Sequence, residues 1–193
     1  ADKQLKENGV DRPTHVFVQA GVGSLAGAVV GYFAHKYKEN PPVMVVCEAS
    51  AADCLYRSAV QADGNLVNVT GDLQTIMAGL ACGEGNTIGW DILKYHVTVF
   101  ASCPDWMSAK ATRIYANPLE NDPHIISGES GSVPLGLAYT ALHDEDAKDL
   151  KEALKLDENS NILVISTEGD TDPVRYREIV WDGLYGTNES LSK

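Results

Sequence analysis

The chain has 193 residues, 44% hydrophobic and 22% charged, which is enough mass and apolar content for one globular domain with a real core. A net charge of −12 leaves no basic stripe to release counterions, which argues against a nucleic-acid partner. No apolar run approaches the roughly 20 residues of a bilayer span, since the longest, 26–34, is interrupted by Gly27 and Gly31.

The first dozen residues are polar and charged, unlike a secretory leader, so the expected compartment is cytoplasmic with reduced thiols. Residues 1–9, ADKQLKENG, read as the end of an amphipathic helix anchored by Leu5 and stopped by Gly9. Such a start suggests a piece of a longer polypeptide.

Residues 15–33, HVFVQAGVGSLAGAVVGYF, carry the strongest local signal. They predict a buried strand over 16–19, a glycine turn at Gly21 and Gly23, and a helix from Ser24 to about residue 38. The first N–H groups of such a helix have no internal partner, and its dipole puts partial positive charge there. A glycine loop opening a helix is therefore an anion site. The repeat reads G-x-G-x-x-x-G and departs from the dinucleotide fingerprint, although Glu48 sits near the position of a ribose-binding acid. Gly27 and Gly31 read as packing positions that let the helix approach the sheet.

Asn40-Pro41-Pro42 ends that helix, and the apolar run 43–47 predicts a strand covered on both faces. Glu48, at its carboxyl end, is either a ligand contact or a first-turn acid of a helix over 51–59. A strand over 66–69, a helix over 74–81, a short helix over 90–95 and a strand over 97–101 follow. Pro104-Asp105 opens a helix to residue 116 with Asp105 as its cap and Lys110 and Arg113 on a solvated face.

Residues 125–136, IISGESGSVPLG, put Glu129 in a glycine- and serine-rich turn before a helix over 133–143. A carboxylate there is either a structural turn acid or a site residue. A surface helix spans 144–155. The strand 162–165 runs into Ser166 and Thr167, and Thr167, nearest the strand end, is the candidate ligand contact. Asp172 before Pro173 reads as the cap of a last helix over 173–181, and residues 183–193 as a polar tail.

Strands alternating with helices give an α/β domain, a parallel or mixed sheet flanked by helices. The polar clusters 21–25, 128–131 and 166–167 can converge on one sheet edge. Four cysteines without a close C-x-x-C pair argue against zinc. Cys54 and Cys82 are the two that could meet in space. The five histidines lack metal spacing, and Ser24 lies outside any G-x-S-x-G elbow.

The stretches THVFVQAGVGSLAGAVVGYF, TIMAGLACGE, DPHIISGESGSVPLGL and LVISTEGDTDPVRYREIVW resemble the pyridoxal-phosphate enzymes of fold type II, the tryptophan-synthase-β type. Within them they resemble the diaminopropionate ammonia-lyase family, over about residues 14–182. AGVGSLAG alone would also fit a threonine/serine dehydratase, which is kept as an alternative. A non-catalytic phosphate- or nucleotide-binding module is the other.

The resemblance implies pyridoxal 5′-phosphate as cofactor, its phosphate held by the amides of Gly21, Val22, Gly23, Ser24 and Leu25. It implies that the Thr167 hydroxyl faces the pyridine nitrogen and that Glu129 lies near the ring in the same pocket. The family reaction eliminates ammonia from 2,3-diaminopropionate, an amino-acid substrate, to give pyruvate and ammonia, in a homodimer. The family's Schiff-base lysine lies before the glycine loop. Lys3, Lys6, Lys94 and Lys110 match no catalytic motif. The expectation is thus the C-terminal, large-domain portion of the enzyme, with no catalytic residue of its own and the N-terminal part as its natural partner.

Overall fold

Four parallel strands form the frame: β1 (His15–Gln19), β2 (Val43–Ala49), β3 (Val99–Cys103) and β4 (Ile162–Val164), in the spatial order β3-β2-β1-β4. These come from a computed structural model of the chain, which describes residues 1–186. The helices are α1 (Asp2–Glu7), α2 (Ser24–Lys36), α3 (Cys54–Gln61), α4 (Thr87–His96), α5 (Asp105–Ala116), α6 (Glu129–His143), α7 (Lys148–Leu154) and α8 (Pro173–Val180).

The strands are apolar on both faces because both faces are covered. Val16, Val18, Met44 and Val46 point into one core with α2, α3 and α4, where Phe33, Leu55, Trp90 and Leu93 pack. Phe17, Val45 and Cys47 point the other way, against Val133, Leu137 and Ala141 of α6 and Leu154 of α7. The period of two along each strand assigns neighbours to opposite layers. His15, buried at the start of β1, ties the strand to α7 through Nε2 and the Leu154 carbonyl, 2.8 Å apart.

The chain winds outward from β1 to β2 to β3, then returns to the far side of β1 as β4. The strand order therefore reverses between β1 and β4. In open α/β sheets, ligands bind at the carboxyl ends of the strands beside such a switch point. That point lies where the chain leaves Gln19 for Gly21 and leaves Val164 for Thr167.

Several sequence expectations shift. Residues 66–69 form no strand: the Val69 N–H donates to the Gly83 carbonyl at 2.7 Å in an otherwise irregular loop. Residues 74–81 are irregular apart from one 3₁₀ turn, Ala78–Leu80. Asp105 does not cap α5, whose N-cap position is Pro104; its carboxylate accepts from Thr75 Oγ1 and the Ile76 N–H, fixing that irregular segment. The third strand starts at Val99, two residues late, because Val97 ends α4.

Helix α6 starts at Glu129, four residues before the expected start, and carries Pro134 inside it. Arg113 is not on a solvated face: it donates to the carbonyls of Ile179, Leu184 and Tyr185, which tethers the end of α8. Asp172 does cap α8, accepting from the Val174 and Arg175 N–H groups. The rest of the tail, 187–193, lies outside the described residues. Among the described residues, no helix is long and apolar enough to cross a membrane, and no group of three or more His, Cys, Asp or Glu could hold a metal.

Candidate functional site

The glycine loop is built by β1 and braced from both sides. The Ala20 N–H still pairs with the Cys47 carbonyl at 2.9 Å, so the chain leaves the sheet only at Gly21. Gly23 then takes φ +89°, a left-handed conformation that lets α2 begin at Ser24. Behind the loop, the Val22 carbonyl accepts the Asn86 N–H at 2.7 Å, and Asn86 Oδ1 caps α4 by accepting from Gly89 at 2.7 Å. In front of it runs the 3₁₀ turn: a Cβ on Gly21 would stand 3.1 Å from the Gly79 carbonyl oxygen. The Gly79 N–H in turn donates to Ser130 Oγ at 3.1 Å.

This bracing leaves a defined set of donors. Among the described residues, the backbone N–H groups of Gly21 to Leu25 find no acceptor outside regular structure. They sit at the positive end of a 13-residue helix. The N-terminus of α6, by contrast, is already filled. Glu168 Oε2 accepts from the Ser130 and Gly131 N–H groups at 2.8 and 3.2 Å. Of the two helices that open at this edge, α2 is the one with room for an external anion.

Across the switch point stands Thr167. Its Oγ1 accepts a hydrogen bond from Gln19 Nε2 at 3.1 Å. The other amide atom, Gln19 Oε1, is buried without a partner. The glycine loop, Gln19, Thr167, Gly79, Cys82, Ser130 and Glu168 together line a cavity of about 380 Å³, a size suited to a small organic ligand. No Lys or Arg lines it, so its pull on an anion comes from backbone amides and the helix dipole.

Gly21, Val22, Gly23, Ser24, Leu25 and Thr167 are thus brought together as expected. Glu129 is not in that cavity. It lines the neighbouring one, about 470 Å³, with Asp105, Asp172 and Arg175, and Glu168 borders both. Burial pushes the Glu129 carboxyl up, the charges of Glu168 and Asp172 add to that, and Arg175 opposes it. Its Oε1 is also buried and unpartnered.

Glu48 is closed to any ligand. It is fully buried, and its two oxygens accept the Leu55 and Tyr56 N–H groups at 2.9 and 2.6 Å, the first turn of α3. No carboxylate is left there for a ribose, which removes the dinucleotide reading. Cys54 and Cys82 do meet, but as free thiols: Cys54 Sγ lies 3.7 Å from the Cys82 carbonyl.

Residues 3–168 match the family described as pyridoxal-phosphate dependent enzyme. The chain belongs to that family. It is 50% identical to diaminopropionate ammonia-lyase of Escherichia coli K12 over 185 residues, 96% of this chain and 46% of the relative. It is 49% identical to the enzyme of the same name from Salmonella typhimurium, over 95% of this chain and 46% of that protein. The solved E. coli diaminopropionate ammonia-lyase, in complex with an aminoacrylate-PLP azomethine reaction intermediate, superposes with a TM-score of 0.86 at 47% identity, covering 95% of this chain and 45% of that one. The chain thus spans about half the length of the relatives it matches.

The site suits the cofactor of a pyridoxal-phosphate enzyme. A phosphate needs several convergent N–H donors, and the loop offers them. A Cβ at Gly21 or Gly23 would press on Gly79 or on the Leu55 and Leu93 methyls. Thr167 supplies a polar side chain on the opposite side of the same cavity.

Gln19 and Cys82 are not among the site residues the sequence predicts, although Gln19 carries a visible signal, a lone amide in an otherwise apolar strand end. Ser130 belongs to the predicted cluster 128–131 and does reach the site, and Glu168 follows Thr167; what the sequence does not show is their contact with each other, between residues 38 apart.

Proposed function

We propose that this chain forms the cofactor-phosphate wall of a pyridoxal-phosphate lyase that releases ammonia from 2,3-diaminopropionate. The observation that carries the reading is the open α2 N-terminus facing Thr167 across one cavity at the switch point. The 50% identity to diaminopropionate ammonia-lyase supports 2,3-diaminopropionate as substrate ahead of serine or threonine.

In this reading the amides of Gly21, Val22, Gly23, Ser24 and Leu25 bind and orient the phosphate, and Thr167 faces the ring nitrogen. A neutral hydroxyl donates a hydrogen bond to that nitrogen without protonating it, which suits β-elimination better than chemistry needing a long-lived carbanion. When bound, the cofactor supplies the electron sink for chemistry at the substrate α-carbon. Gly79 and Leu80 of the 3₁₀ turn line the cavity beside the loop. Glu129, in the neighbouring cavity, holds a carboxyl raised by burial. The lysine that carries the cofactor is assigned to a segment N-terminal to the glycine loop, and the working enzyme to a homodimer.

A chimera tests this: the corresponding C-terminal portion of the E. coli relative is replaced with this chain. It is expected to release the 2-oxo acid from 2,3-diaminopropionate (pyruvate) faster than from serine (pyruvate) or threonine (2-oxobutyrate). A chimera that folds, binds the cofactor and prefers serine or threonine would move the chain to the dehydratases.

A further inference from the structure

Gln19 closes β1, every residue of which is buried, between the apolar Val18 and Ala20. An amide is costly there unless it is used. Its Nε2 is used, by Thr167 Oγ1 at 3.1 Å. Its Oε1 is not. Among the described residues, Thr167 Oγ1 makes no other hydrogen bond, so its own proton has no protein acceptor. A hydroxyl that accepts from a fixed donor has its rotor restricted, and its proton must go to an acceptor elsewhere. The open space beside it is the cavity of the glycine loop.

We propose that Gln19 is a positioning residue: its amide N–H occupies a lone pair of Thr167 Oγ1, so that the Thr167 proton is directed into the cavity as a hydrogen-bond donor. The inference rests on the reading above, in which the acceptor is the pyridine nitrogen of the cofactor. Polarity is the decisive feature. With the amide turned the other way, Gln19 would take the Thr167 proton and leave the cavity with a hydroxyl lone pair facing a nitrogen lone pair. A ring nitrogen would then either lose its partner or have to bind a proton of its own. Gln19 therefore sets the protonation state of the ring without touching it.

The probe is pyridoxamine 5′-phosphate, which has no aldehyde and cannot react with surface lysines, with inorganic phosphate as its control. The full chain is compared with Gln19→Glu and Gln19→Leu. Gln19→Glu keeps the shape but presents a carboxylate that can only accept, which reverses the Thr167 hydroxyl. Gln19→Leu removes the amide without adding charge. Both variants are expected to bind pyridoxamine phosphate about three- to tenfold more weakly, the loss of roughly one hydrogen bond. Phosphate affinity should be unchanged, because the loop amides are untouched.

The pyridine-nitrogen ¹⁵N shift of the bound probe should report a neutral, hydrogen-bonded ring in the wild-type chain. It should move toward the pyridinium value in Gln19→Glu and toward a free nitrogen in Gln19→Leu. Wild-type binding with an identical ¹⁵N shift in both variants overturns the role of Gln19 and leaves the cofactor reading standing. Wild-type chain that binds phosphate but discriminates against pyridoxamine phosphate overturns both. If Gln19→Leu fails to fold, Gln19→Glu alone decides, and restoring the shift with Gln19→Asn would show that any side-chain amide suffices.

Discussion

Replacing Gly23, Gly27 and Gly31 one at a time with alanine should give three different results, although the residues lie four apart on one face of α2. At Gly23, φ is +89°, where an L side chain costs about 1–2 kcal/mol. The new Cβ would also stand 3.0 Å from Leu55 Cδ1 and 3.2 Å from Leu93 Cδ1, both in the packed core. Moving those methyls adds about 1 kcal/mol, for a loss of about 2–3 kcal/mol. At Gly27 the conformation is helical, but the Cβ meets the Gly89 backbone at 3.0 Å. Helices α2 and α4 must part, at about 1–3 kcal/mol, offset by about 1 kcal/mol of helix propensity. The glycine therefore serves the contact with α4 and not, as its spacing suggested, an approach to the sheet.

At Gly31 the nearest atom is Ile92 Cγ2 at 3.5 Å, an ordinary contact, so the propensity gain of about 0.5–1 kcal/mol stands alone. Urea unfolding followed by circular dichroism should rank Gly31→Ala above wild type, then Gly27→Ala, then Gly23→Ala. Phosphate should stabilise wild type and Gly31→Ala but not Gly23→Ala. A Gly23→Ala chain as stable as wild type, and equally stabilised by phosphate, would refute the strained-loop argument.

Two further outcomes follow from buried groups. Burial pushes the Glu48 carboxyl up to about 8, against the two amides that lower it. Because its folded value lies above the ordinary 4.5, its contribution to stability is fully present below about pH 4.5 and is lost as pH rises through about 8, a change of about 3–5 kcal/mol. Glu48→Gln loses one of the two amide bonds yet does not titrate, so its urea stability should lie below wild type at pH 5 and above it at pH 8.5; parallel curves would contradict the shift. Burial also pushes the Cys54 thiol up to about 12 and raises Cys47 strongly, while Cys82 is half-buried on the cavity wall. Thiol labelling under native conditions should show one fast cysteine, Cys82, slowed by pyridoxamine phosphate; two thiols of equal rate, or no protection, would count against the cavity.

The frame was readable from the chain because the strands are continuous apolar runs and the glycine turn and helix start have local causes, while the bracing of the loop by Gly79 and Asn86 is long-range. Residues 74–81 were not readable: they are irregular and held by the Asp105 carboxylate, 29 residues away from Ile76. The early start of α6 has a similar source, since Glu168 supplies the acceptor for Ser130 and Gly131 that a local cap would have supplied. For Glu48 the sequence leaves both a ligand contact and a first-turn acid open, and its two bonds to Leu55 and Tyr56 decide for the latter. Glu129 and Ser130 are neighbours in sequence but line different cavities, because successive residues at a helix start diverge by about 100°.

The central claim is that the amides of Gly21 to Leu25 hold a cofactor phosphate with Thr167 opposite. A ¹H–¹⁵N correlation spectrum of the chain titrated with pyridoxamine 5′-phosphate tests it most directly. The account predicts that the amides of residues 21–25 and of Thr167 shift together, and that inorganic phosphate reproduces the loop shifts but not the Thr167 shift. Loop amides that stay fixed while the probe binds elsewhere, or that respond to NAD and ignore the probe, would contradict it.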